Sequence, residues 1–113
     1  MPARNALLSS PPHAVEQALK RLGANLRVAR LRRGLTLRQA GEKIGAGVRV
    51  VADAEKGKAS TGIAVYAALL WSMGLLVDLD AVASPERDPE GQSLALAHER
   101  RRARPGRGLG DDF

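Results

Sequence analysis

The sequence predicts an all-α fold, a bundle of five helices containing a helix-turn-helix. Three observations lead there. Apolar residues recur at three- and four-residue steps from about residue 14 to residue 83. No stretch in that span reads convincingly as a strand. Glycines at positions 34, 45, 57 and 74 stand where successive periodic segments end. Such segments bury their stripes by packing helix on helix. A flexible arm over 1–13 and a flexible, Arg-rich tail over 84–113 are expected to flank the domain over 14–83.

The arm contains Pro2, Ser9, Ser10, Pro11 and Pro12 and should be mobile. The first helix is expected over 14–33, with Val15, Leu19, Leu22, Leu26 and Ala29 as its core stripe and Gly34 as its stop. Thr36 can cap a second helix over 37–44. Ala40 and Ile44 share one face of it. Gly41 lies between them, where a side chain larger than a methyl would hold a crossing helix away. Gly45 suits the left-handed residue at which the chain reverses. A third helix is expected over 47–56, with Val51 and Ala54 inward and Val48, Arg49, Ala52 and Asp53 outward. Gly57 ends it, and Lys56 and Lys58 suit its C-terminal dipole.

Ser60 or Thr61 can cap a fourth helix over 62–73, with Ile63, Tyr66, Ala67, Leu70 and Trp71 expected inward and Gly74 as its stop. The fifth, over 75–83, shows Leu75, Leu76, Leu79 and Val82. These four suit a dimer surface or the closing of the monomer core. Beyond Ser84, Pro85, Pro89, Gly91, Pro105, Gly106, Gly108 and Gly110 interrupt regular structure, and the tail is expected to be largely disordered alone. Within it, residues 92–104 suit either a helix or a strand formed on a partner.

With 113 residues and only Tyr66, Trp71 and Phe113 as aromatics, the core must be aliphatic and small, which favours dimerisation. There is no cysteine, so neither disulfides nor thiolate chemistry. No apolar run approaches the roughly 20 residues of a membrane span. Nothing at the N-terminus reads as a secretory signal, and a cytoplasmic location is expected. The two histidines, His13 and His98, stand in opposite ends of the chain. There is no phosphate-binding glycine loop after a strand and no metal-ligand spacing, so no enzyme, cofactor or metal is expected.

Charge is uneven. From Glu16 to Lys58 there are eleven basic residues against four acidic ones. A positive field concentrated on a helix-turn-helix suits a phosphate backbone. On that reading Val48, Arg49, Val50, Ala52 and Asp53 face the bases. Arg49 can make two bonds to guanine, and Val48 or Val50 can meet a thymine methyl. Asp53 can accept from cytosine, or hold Arg49 or a neighbouring lysine. Arg38, Lys43, Lys56 and Lys58, with amides at helix N-termini, would position phosphates. Helix 47–56 lacks Ser, Thr, Asn and Gln on this face, so base specificity is expected to be modest.

Residues 22–79 resemble the Cro/phage-repressor class of helix-turn-helix domains, the XRE family. The resemblance rests on Leu22, Leu26 and Arg30, then Gly34-Leu35-Thr36, then Gly41, Ile44 and Gly45. It continues through Val51, the Ala54-Glu55-Lys56-Gly57-Lys58 ending and the stretch Leu69 to Leu75. It implies a repressor-like five-helix bundle that binds operator DNA as a homodimer, with helix 47–56 in the major groove. It also implies a pair between Arg30 and Glu55 that clamps that helix and leaves the arginine near a phosphate. Gly41, Gly45 and Val51 are its structural positions. Ala40 and Ala54 are smaller than the family's usual aliphatics, which implies a looser core. From Leu75 onward the chain resembles HipB-like antitoxins. That implies an autoregulating repressor with a kinase-fold HipA-like toxin as partner. The alternatives are a stand-alone XRE-type regulator and a protein-interaction adaptor that does not bind DNA.

Overall fold

The computed structural model describes residues 5–103, and among these every regular element is helical. In order they are α1 (Ala6–Ser9), α2 (His13–Arg32), α3 (Leu37–Ile44), α4 (Val48–Glu55), α5 (Ile63–Ser72) and α6 (Val77–Asp80). A 3₁₀ turn (Pro85–Arg87) and α7 (Pro89–Arg102) follow. The described residues fall into two compact units divided between Leu79 and Asp80.

In the first unit the core is Leu26 and Ala29 from α2, Ala40 from α3, Val51 and Ala54 from α4, and Tyr66, Leu69 and Met73 from the α5 region. Leu22, Leu37, Ile44, Val65, Leu70 and Leu75 pack around it. Ala40 and Ala54 are both buried in this core, and Ala54 sits where two backbones approach closely. A Cβ on Gly23 would strike the carbonyl oxygens of Ala54 and Glu55. Gly57 has φ 70°, and a Cβ there would strike the Leu19 carbonyl. Two glycines therefore let α2 and the end of α4 touch main chain to main chain.

Several expectations are corrected. Residues 1–13 contain one helical turn, α1, capped by Asn5, whose Oδ1 accepts from the Leu7 amide at 3.0 Å. The 14–33 stripe begins later than expected. Val15 is 43% exposed, because it lies one turn before Leu19, the level at which Gly57 meets α2. On α5, Ile63 and Trp71 point outward, at 69% and 63% exposure, and Leu69 takes the inward place. The helix expected over 75–83 shrinks to one turn, α6, followed by a turn over 81–83 in which Ala83 has a positive φ of 60°.

The 84–113 segment is not structureless where it is described. Asp88 caps α7 by accepting from the Gly91 amide at 2.9 Å, Pro89 occupies the first turn, and the Gln92 side chain donates to the Pro85 carbonyl at 2.8 Å. Between helix and strand, the open choice for 92–104, the described part is helix. The tail calls on Arg104 to Phe113, and the arm's Met1 to Arg4, lie outside the described residues.

Candidate functional site

The site is built on α3, α4 and the three-residue turn between them. Thr36 and Gln39 form a reciprocal cap at the start of α3: Thr36 Oγ1 accepts from the Gln39 amide at 3.0 Å, and Gln39 Oε1 accepts from the Thr36 amide at 2.9 Å. Gly45 follows with φ 72°, and the Ala46 amide donates back to the Gly41 carbonyl at 2.9 Å. Gly41 proves stricter than expected. A Cβ there would strike the Ala46 carbonyl, so the turn, rather than a crossing helix, forbids even a methyl.

α4 starts at Gly47, which provides no side-chain cap. Its first amides are therefore open, whereas those of α3 are partly taken by Thr36. Val51 and Ala54 are fully buried beneath it. On the other side Val48, Arg49, Ala52, Asp53 and Lys56 line a shallow depression. Their spacing explains this, since positions 49, 52, 53 and 56 share one helical face. Val50 is partly exposed at the edge of this surface.

The C-terminal end of α4 is fixed. There Glu55 receives two bonds from Arg30, Nε to Oε2 at 2.6 Å and Nη2 to Oε1 at 3.0 Å. Arg30 Nη1 also donates to the Leu35 carbonyl at 2.8 Å. One guanidinium thus joins α2, the turn before α3, and α4. The hydrogen bond to Glu55 and its charge raise the Arg30 pKa, against an opposing effect of burial. Arg30 is 8% exposed. All three of its guanidinium nitrogens are engaged in the clamp.

Asp53 Oδ2 lies 3.6 Å from Lys58 Nζ. The lysine end of this pair is exposed, and such a pair is energetically weak. Arg49 has no ion-pair partner among the described residues and is exposed. Arg38 and Lys43 on α3 and Lys56 and Lys58 after α4 are exposed as well.

Two contributors escape sequence reasoning. Tyr66 donates from its hydroxyl to the Lys58 carbonyl at 3.0 Å and so holds the loop after α4. Burial, opposed by a hydrogen bond from Thr61 and reinforced by the charge of Asp53, raises the phenol pKa. Arg33 donates to the carbonyls of Ala29 at 2.9 Å and Met73 at 3.1 Å, tying the end of α2 to the end of α5. The Arg33–Met73 contact joins residues forty positions apart, and the Tyr66 contact bridges the loop between two helices, so no helical spacing rule reveals either.

The chain matches no protein-family model, no curated protein and no solved structure. Among the described residues no helix is long and apolar enough to cross a membrane, and no group of three or more His, Asp or Glu could hold a metal ion.

Proposed function

We propose that this chain is a sequence-specific DNA-binding transcriptional repressor that lays α4 in the major groove of duplex DNA. The observation that carries the reading is the seating of α4. Its inner face is fully buried and its far end is clamped by Arg30, while Arg49 stands exposed on the outer face beside Val48, Ala52, Asp53 and Lys56, with no ion-pair partner among the described residues. A rigid helix with one free guanidinium is suited to a guanine edge. Arg38, Lys43, Lys56 and Lys58 supply phosphate contacts, and the uncapped start of α4 supplies amides. The valines and alanine of this face offer only apolar contacts, so most affinity comes from phosphates and base discrimination rests mainly on Arg49.

The test is duplex binding across a salt series. Four phosphate contacts correspond to a log–log slope of roughly −3.6. No binding to duplexes selected from a random pool, even in dilute buffer, overturns the reading.

The partner implied by the resemblance from Leu75 onward, a kinase-fold toxin whose synthesis the repressor would also control, is part of the same proposal. Its test is co-purification with the product of an adjacent reading frame. The DNA reading stands or falls independently of it.

A further inference from the structure

α7 is a 14-residue helix that buries none of its residues. A lone helix of this length is marginal in water, which makes its sequence pattern informative. Its charges are unevenly placed. Glu86, Asp88 and Glu90 outnumber Arg87 at or before its start, and Arg100, Arg101 and Arg102 follow Glu99 in its last turn. Between them lies the apolar run Leu94, Ala95, Leu96, Ala97, so the midpoint of the helix falls between Ala95 and Leu96.

We infer that α7 is a pairing surface for a second copy of this chain, taken up antiparallel. Glu90, Leu94, Ala97 and Arg101 are spaced four, three and four apart and so share one face. At about 1.5 Å per residue, Glu90 and Arg101 lie at equal distances, about 8 Å, on either side of the midpoint. A two-fold axis through that point sets Glu90 against Arg101 of the other copy and Arg101 against its Glu90. The same axis sets Leu94 against Ala97 and Ala97 against Leu94. The face is its own complement, as an isologous contact requires.

The charge pattern selects this occupant. A parallel pair would set glutamate against glutamate and arginine against arginine. A nucleic acid would be attracted to Arg100–Arg102 and repelled by Glu86, Asp88 and Glu90. The contact is small, so the association is weak and salt-sensitive. It is independent of the DNA reading and can fail without affecting it.

Sedimentation equilibrium of the full chain, up to roughly 1 mM and at low and high salt, measures the pairing. The wild-type chain is expected to dimerise, less so at high salt. Glu90→Arg and Arg101→Glu each set like charges together and should weaken the dimer by about tenfold or more. An equal mixture of the two variants restores both attractive pairs and should associate about tenfold more tightly than either alone. The double variant should recover likewise. Both charges also suit the helix dipole of α7. If they mattered only through helix stability, the double variant would be the weakest of all and the mixture would gain nothing. A monomeric wild type, single variants that dimerise normally, or a mixture that associates no better than its components each overturn the inference.

Discussion

Arg30 and Glu55, twenty-five positions apart, meet through two hydrogen bonds of 2.6 and 3.0 Å, with side chains 10% and 8% exposed. The last residue of α4 is thereby tied to α2. Removing one partner strands the other as a buried charge, which is costlier than losing a surface pair. Arg30→Ala or Glu55→Ala should therefore destabilise the fold by about 3–5 kcal/mol. Urea denaturation checks this, and a loss below about 1 kcal/mol would mean the pair behaves as a surface bridge.

Tyr66 gives stability a distinct pH dependence. Its phenol pKa is raised by burial above the ordinary 10.0. The folded state therefore holds this proton more tightly than the unfolded chain. The contribution is fully present below pH 10.0 and is lost as pH rises through the folded-state value. Tyr66→Phe loses a hydrogen bond to the Lys58 carbonyl, about 1 kcal/mol at neutral pH, and should flatten the alkaline decline. Melting temperatures of both proteins at pH 8 to 11 make the comparison, and parallel curves would contradict it.

Gly57→Ala combines two penalties. The residue has φ 70°, and the added Cβ would strike the Leu19 carbonyl, which belongs to the backbone of a long helix and cannot step aside. A loss of more than about 2 kcal/mol is expected. Gly45→Ala has the same sign of φ but open space around it, and should cost about 1 kcal/mol. Equal losses at the two sites would show that contact with Leu19 contributes nothing.

Arg49→Ala leaves the fold intact, because the side chain is exposed. It should reduce discrimination between a selected duplex and random DNA by about 1–3 kcal/mol. Lys56→Ala should instead weaken all duplexes alike and flatten the salt slope by about 0.9. Competition titrations distinguish the two, and an unchanged preference in the Arg49 variant removes it as a base reader.

Sequence made some elements legible and hid others for physical reasons. The α3–turn–α4 segment could be read closely, since Thr36, Gly45 and Gly57 are local signals that work whatever surrounds them. The Arg30–Glu55 pair came from resemblance, and no spacing rule links residues that far apart. The inward face of α5 was misread at Ile63 and Trp71, because its ten residues carry no charge to mark the outside. α7 was hidden by its layout: it is apolar in the middle and charged at the ends, so it lacks the lengthwise stripe by which buried helices are recognised. The Asp53–Lys58 approach depends on the path of the chain through Gly57, which helical spacing alone does not give.

The main-chain contact of Gly23 and Gly57 with their neighbouring helices has a consequence for how this protein can vary. What locates α4 is Val51, Ala54 and a glycine-permitted backbone contact on its hidden side, together with one ion pair at its end. The outward positions 48, 49, 52 and 53 take no part in that anchorage. They can be rewritten as a set, with each exchange shifting stability by only about half a kcal/mol. The outer face can thus change by drift or by design without the scaffold first being rebuilt.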